Sequence, residues 1–472
     1  MSTGIGLEPA MTSQPAAVSA SPELESFSHV EQYRRYANPQ WVRLLDVLDM
    51  NARYVRASGP YLYTQDGRQI LDFLSGYCVH NTGHNHPYIV EALREELHAE
   101  GPAMVQSHVP DLAGELAERL CASAGGSLSK VFFCSSGSEG VEAAIKYARA
   151  ATRRTGLVYA GGAFHGLTCG ALSMMGDPFW SDGFGPMLPE THQVPFGDLS
   201  ALESRLATTK IAALFLEPIQ SEAGVCIPPQ DYLAKAQALC RKYGTLFVLD
   251  EVQTGLGRTG KFLAGHSHEV DPDIVILAKA LSGGLVPIGA VLMTDTVYRS
   301  VYDSLKRAIV HTSTYSENGL AMRAGIATLD VIRDEDLTFR SAQMGEYLRS
   351  RLRQELSGYE MISDIRGAGL LNGIEFTAPR SMRLRFAFET FKRIHEGMFG
   401  QMVVMRLFRE KNILTQMCGN NFMVLKVASP LTVSEEQADR FVRSMRDVAE
   451  LIHSSGTFWS GALGLAKRVV NL

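Results

Sequence analysis

Three ionisable residues stand near the carboxyl ends of apolar runs: Glu217 in "KIAALFLEP", Asp250 in "TLFVLDE" and Lys279 in "DIVILAKALSGG". Burying an unpaired carboxylate or ammonium is costly, so groups placed there are paired or bind something charged. A salt bridge at a sheet edge would satisfy any one of them; three on successive strands point to a site. The loop "SSGSEG" adds Ser135, Ser136, Gly137 and Ser138 between the strand-like "KVFFC" (130–134) and the helix-like "VEAAIKYARAA". Its backbone N–H groups, hydroxyls and helix dipole can hold a phosphate. Taken alone, the loop is an ordinary N-cap.

Together these residues ask for a ligand with a phosphate at one end, a cationic nitrogen near Asp250 and a group that reacts with an amine. Pyridoxal 5′-phosphate meets all three demands. Asp250 would keep the pyridine nitrogen protonated, making the ring an electron sink. Lys279 would form the Schiff base and later shuttle a proton. A Lys desolvated beside a cationic ring should have a lowered pKa, as a nucleophilic amine requires.

Two competing signatures overlap Asp250. Gly255, Gly257 and Gly260 spell G-x-G-x-x-G, and with Lys261 they approach a P-loop. A P-loop needs Ser or Thr after the Lys to hold magnesium, and Phe262 stands there. A dinucleotide site needs its glycines directly after a strand and before a helix. Here Asp250 to Thr254 intervene, and "KFLAGHSHEVDPD" after Gly260 is too irregular for a helix. The glycines are expected to make a tight loop. His84 and His86 form H-x-H without a third ligand at a suitable spacing, so a structural turn is expected and no metal.

These residues need a rigid frame. From about Leu112 to Met293 apolar runs alternate with helical patterns, the rhythm of an α/β domain with a parallel sheet. In such sheets ligands sit beyond the carboxyl ends of the strands. The segment 382–412, "MRLRFAFETFKRIHEGMFGQMVVMRLFREKN", mixes Phe, Met and Arg at helical spacing. Core or dimer packing is the commoner meaning of that pattern, a partner- or membrane-binding helix the rarer.

The chain of 472 residues has 46% hydrophobic and 20% charged residues, an ordinary globular composition. Its net charge, 45 − 50 = −5, gives no general reason to expect nucleic acid or an anionic membrane as partner. Seven Cys without a C-x-x-C pair suit a reducing compartment. Residues 1–26, rich in Ala, Ser and Pro, read as a disordered tail rather than a signal peptide. No run approaches a membrane span, so a cytoplasmic setting is expected.

The chain resembles the class III (ω-) aminotransferases, pyridoxal-phosphate enzymes of fold type I. The likeness rests on "GHNHP" (83–87), "SSGSEGVEAAIK" (135–146), "FHG" (164–166), "EPIQSEAG" (217–224), "LDEVQTGLGRTG" (249–260), "LAKALSGG" (277–284), "STYSENGLA" (313–321) and "RGAGLLNGIEF" (366–376). Their order and spacing are more specific than any one of them, above all Asp250 set 279 − 250 = 29 residues before Lys279.

The resemblance implies an α/β fold: a large domain with a mainly parallel seven-stranded sheet, and a smaller α+β domain built from both chain ends. In this sequence that means residues 27–85 contributing to the small domain and the substrate entrance, 86–335 as the large domain, and 336–472 as the C-terminal small domain. Lys279 would be the Schiff-base lysine and Asp250 the partner of the ring nitrogen. Gln253 would contact the ring's 3′ oxygen, Val252 would pack under the ring, and Phe164 would stack on its other face with His165 beside it. Gly137 and Ser138 would bind the phosphate, with Ser136 and Glu217 also at the cofactor. Thr314 would help from a neighbouring subunit, which implies a homodimer with shared sites. Tyr77 and Cys78 would line the substrate entrance.

The family's 2-oxo-acid enzymes usually place an Arg before "x-A-P-P-L" to clamp the substrate carboxylate. Here the segment is "VLKVASPL", with Lys426 in that place and Ser429 for a proline. Lys is a point charge rather than a planar fork. Glu222 matches the glutamate that pairs with that Arg. The expected activity is transfer of an amino group, from a terminal primary amine or an amino acid, to an oxo acid or aldehyde by a ping-pong mechanism. The alternatives are an amino-acid racemase or epimerase of the same family and, from another class, a non-catalytic or nucleotide-binding protein.

Overall fold

The computed structural model describes residues 28–454, apart from 106, 209 and 395, together with 458 and 459. The expected tail of residues 1–26 lies outside them. The chain divides into two compact units between Asn51 and Ala52. In the first, helices His29–Tyr36 and Pro39–Val47 start where the sequence supplies caps. Ser28 Oγ accepts from the Glu31 N–H at 3.3 Å, and Asn38 Oδ1 from the Trp41 N–H at 3.0 Å.

The second unit is built on a seven-stranded sheet: β1 Leu128–Cys134, β2 Gly156–Ala160, β3 Thr191–Val194, β4 Ile211–Leu216, β5 Leu246–Asp250, β6 Ile274–Leu277 and β7 Gly289–Thr294. The spatial order is β1-β7-β6-β5-β4-β2-β3. Every pairing from β6 to β3 is parallel, while β7 runs antiparallel to both β6 and β1. The sheet is thus mainly parallel, as the sequence rhythm predicts. β4 and β6 are buried along their whole length, which is why they read as unbroken apolar runs.

Helix Gly137–Thr152 packs on β4, β6 and β7 through Val141, Ala144, Ile145 and Ala148. Gly140 permits the close approach: a Cβ there would lie 2.7 Å from Ile276 Cγ2. Since β4, β5 and β6 are parallel, and β1 points the same way through its antiparallel partner β7, four carboxyl ends share one edge. That edge receives Glu217, Asp250, Lys279 and the loop 135–138.

Two smaller sheets accompany the large one. Tyr54–Ser58, Tyr61–Thr64 and Gln69–Asp72 form a meander, and Ile413–Leu414 adds in parallel to the third strand. The other is antiparallel, in the order Ile362–Ala368, Leu371–Phe376, Asn421–Val427, Gln416–Cys418. It sets Lys426 opposite Gly373 and Gln416.

Segment 382–412 forms helices Met382–Ile394 and Met398–Lys411. The second buries Met398, Phe399, Met402 and Phe408 as core, whereas Met382 and Phe386 of the first are exposed. No helix among the described residues is long and apolar enough to cross a membrane.

Candidate active site

Asp250 ends β5 and is 4% exposed. Its Oδ2 lies 2.8 Å from His165 Nδ1, and Oδ1 accepts the Val252 N–H at 3.1 Å. Burial alone would lower the His165 imidazole pKa, but the Asp250 carboxylate outweighs it and holds the pKa above its ordinary value. Glu217, one residue past β4, accepts the Phe164 N–H at 3.0 Å. Burial, with Asp250 nearby, pushes its carboxyl up to about 7, against the pull of His165. The segment Phe164–Gly166 is thereby pinned between two strand ends.

The loop after β1 leads into helix Gly137–Thr152. Ser136 caps it, Oγ accepting from the Glu139 N–H at 3.2 Å, and Glu139 returns a carboxylate to the Ser135 N–H at 2.6 Å. A Cβ on Gly137 would stand 3.0 Å from both Val252 methyls, so Val252 lies directly against the loop. Ser138 Oγ accepts the Leu167 N–H at 3.3 Å. Gly166 has φ +123, and a Cβ there would lie 2.9 Å from the Ser138 Cβ. Only glycine allows the two loops to meet this closely.

Lys279 follows β6 in a left-handed conformation, φ +47. Burial holds its amine below the ordinary lysine range, only partly offset by Asp250. Among the described residues none hydrogen-bonds or pairs with its Nζ. Two buried polar atoms nearby also lack partners, Gln253 Oε1 and His165 Nε2. All of these residues line one cavity of about 540 Å³ together with the loop 135–138, Phe164 and Glu217.

Next to this cavity, Lys426 is fully buried and ion-paired with Glu222 Oε1. Gln253 Nε2 donates to the same oxygen at 3.0 Å, and the Gly419 N–H donates to Oε2 at 2.9 Å. Burial would raise the Glu222 carboxyl, but the Lys426 ammonium and these donors hold it down at about 2. Lys426 Nζ sits 5.5 Å from the centre of the Tyr77 ring.

Tyr77 belongs to a turn in which Ser75, Gly76, Tyr77 and Cys78 all have left-handed φ, +45, +61, +62 and +68. Each such non-glycine residue costs about 1–2 kcal/mol. Asp72 Oδ1 holds the turn by accepting the Leu74 and Ser75 N–H groups at 2.9 and 2.8 Å. Cys78 is buried and is not among the residues that line the cavity. It packs in an apolar cluster with Ile219, Val225, Leu371, Cys418, Val424 and Ala428. Its neighbour Val79, which sequence reading missed, lines the cavity instead.

Thr314 is exposed and lines a different cavity, so within one chain it does not join the set. The glycines after Asp250 form turns, as expected, with φ +87 at Gly257 and +90 at Gly260. Arg258 between them is fully buried and donates to Leu370 O at 3.1 Å, Asn81 Oδ1 at 2.5 Å, Ser75 Oγ at 3.3 Å and Ser429 O. His84 pairs with Asp72 and His86 with Glu335, each at 2.8 Å. No group of three or more His, Cys, Asp or Glu among the described residues could hold a metal ion.

A mainly parallel sheet that gathers a half-buried lysine, a buried aspartate and a serine-rich helix start at one edge is the architecture of a fold-type I pyridoxal-phosphate enzyme. The profile of the family described as Aminotransferase class-III matches residues 46–449. The chain belongs to that family, whose members are aminotransferases dependent on pyridoxal 5′-phosphate.

It is 37% identical over 437 residues to putrescine aminotransferase from Pectobacterium atrosepticum, covering 90% of this chain and 88% of that one. It is 36% identical over 452 residues to aminotransferase PigE from a Serratia species. That alignment covers 89% of this chain but spans only 53% of PigE, about half its length. Among solved structures, ornithine aminotransferase from Toxoplasma gondii, described with partial occupancy of the cofactor at its active site, superposes with a TM-score of 0.77 at 28% identity. It covers 90% of this chain and 98% of that one. Acetylornithine aminotransferase from Elizabethkingia anophelis gives a TM-score of 0.67 at 30% identity, with 84% and 93% covered.

The residues fit the family's cofactor. The unpartnered amine of Lys279, the Gln253 side-chain amide, the buried Asp250 carboxylate and the capped helix start surround one cavity. They match its carbonyl, ring oxygen, ring nitrogen and phosphate in kind.

Proposed function

We propose that the chain moves an amino group from a terminal primary amine to an oxo acid or aldehyde in a ping-pong cycle. The observation that supports this most is the Lys279 amine, on a half-buried residue, unpartnered and held below its ordinary pKa in a cavity shared with Asp250 and the loop 135–138. Residues 135–138 would hold the phosphate on backbone N–H groups and the helix dipole. Val252 and Phe164 would enclose the ring, and the Gln253 side-chain amide would donate an N–H to its oxygen. Bound there, the cofactor supplies an electron sink and keeps the amino group between the two half-reactions.

Asp250, held by the His165 contact at 2.8 Å, would stand at the ring nitrogen. Lys279 Nζ, its pKa lowered by burial, would hold the cofactor through its carbonyl carbon and, once displaced by the donor amine, would take and return the proton at the substrate's amine-bearing carbon. The Glu222–Lys426 pair closes the substrate end of the site. The putrescine aminotransferase relative is named for a diamine, which agrees with a terminal amine as donor. Thr314, exposed and remote from its own chain's Lys279, supports a homodimer in which it completes the partner's site.

Lys279→Ala should abolish the violet absorbance of the lysine-bound cofactor and reduce turnover by several orders of magnitude. Titrating wild-type enzyme with amines should bleach that band, and an oxo acid should restore it. Full activity in the variant would overturn the assignment. Racemisation of one amino-acid enantiomer without acceptor would move it to the racemases.

A further inference from the structure

Trp180 lies in a stretch, residues 176–188, to which the sequence reading gives no role. Its ring meets Phe164 edge-on, centroids 5.3 Å apart and planes at 89°, and Phe164 lines the cavity. Its Nε1 donates to Asn420 Oδ1 at 2.7 Å, and the Asn420 N–H donates to the Glu222 carbonyl at 2.9 Å. A side-chain carbon on Gly419 would come 3.4 Å from the indole and 3.1 Å from Glu222 Oε2. The indole therefore stands between the aromatic face of the cavity and the Glu222–Lys426 pair. Tyr77 contributes a second ring at 5.5 Å from Lys426 Nζ.

The pair itself carries no net charge: Lys426 is fully buried against Glu222 Oε1, and both Glu222 oxygens are occupied. Lys279 is the one Lys or Arg among the described residues that line the cavity. A substrate carboxylate brought here would lose its water against rings and meet an ammonium already paired with Glu222, which returns only part of that cost. A methylene chain would gain by burial against the same rings.

We propose that Trp180 is a specificity-determining residue. With Phe164 and Tyr77 it forms the aromatic wall that selects extended, carboxylate-free primary aliphatic amines, whose chain lies along the indole. The inference rests on the amine-transferring function proposed above and names the donor class for that site.

The test is the rate at which limiting amine bleaches the bound-cofactor absorbance, for the straight series from propylamine to hexylamine and for ω-amino acids of matching length. In the wild type the apparent second-order rate constant should rise about fourfold per methylene and fall roughly tenfold or more when a carboxylate ends the chain. Trp180→Ala should flatten the length dependence to less than about twofold per methylene. Asn420→Ala, which removes the indole's hydrogen bond and the bond from Asn420 Nδ2 to Gly162 O at 3.0 Å but leaves the ring in place, should keep the wild-type slope. If Trp180→Ala does not fold, Trp180→Leu is read in the same way. Quenching of indole fluorescence by hexylamine in Lys279→Ala protein, lost in Lys279→Ala/Trp180→Phe, gives a binding readout independent of turnover. A wild-type slope in the alanine variant, or an equal slowing of every amine, overturns the proposal. If no amine bleaches the wild type, the transaminase reading fails first; bleaching without length dependence sinks only the wall.

Discussion

Glu217 shows how one residue ties this site to the stability of the fold. Its carboxyl is held up to about 7 by burial, with Asp250 adding to the effect. The folded state therefore binds this proton more tightly than the unfolded chain does. Its contribution is complete below about pH 4.5 and is lost as pH rises through about 7, a span worth about 3 kcal/mol. Glu217→Gln cannot ionise and should not show this loss. Melting of cofactor-free protein should find the variant gaining on wild type between about pH 5 and pH 8, by up to that amount. A constant difference across the range would show that Glu217 is already ionised in the fold.

Elements, rather than single side chains, set how closely the site's parts approach. The segment Phe164–Gly166 meets the helix start at Ser138 because Gly166 takes φ +123 and has no Cβ. Gly166→Ala should cost about 1–3 kcal/mol and weaken cofactor retention, checked by dialysis against phosphate and by melting. A variant that melts and retains cofactor like wild type would show that the two loops have room to part.

The strand ends carrying Glu217, Asp250 and Lys279 were legible in sequence because buried parallel strands read as apolar runs with abrupt polar stops. The loop 135–138 was legible because a cap and a phosphate cradle use the same residue types. Trp180 and Val79 were not, for one ends a three-residue 3₁₀ helix and the other lies in a turn, both too short to show a period. Cys78 was expected at the substrate entrance from the likeness of residues 73–84 to the family's stretch there. Four successive left-handed residues build that turn, and no propensity announces such a run when three of the four are not glycine. The contact between Gly284 and His80 was equally silent: a Cβ on that glycine would lie 2.5 Å from the imidazole Cε1, across a sequence gap no local pattern spans.

At the scale of the whole molecule, the place of Thr314 has a consequence for assembly. If each site takes Lys279 from one chain and Thr314 from the other, two defective chains can complement. Lys279→Ala and Thr314→Ala proteins, each impaired alone, should form hybrid dimers when dissociated and reassociated together. Each hybrid has one doubly altered site and one wild-type site. Random pairing makes half the dimers hybrid, so about one quarter of wild-type activity should return. No gain on mixing, with hybrids verified by mass, would place Thr314 outside the site.

Arg258 imposes an order in time on the same molecule. Its guanidinium is buried without a carboxylate, and its acceptors come from Ser75, Asn81, Leu370 and Ser429. A nascent chain that has emerged only as far as β7 owns the strand that ends in Asp250, but not the carbonyls that receive the arginine beside it. Until Ser429 leaves the ribosome, the turn next to the catalytic strand must keep a solvated cation in water rather than in the core. The large sheet can form early during synthesis, while the loop that finishes its working edge waits for almost the last strand of the protein.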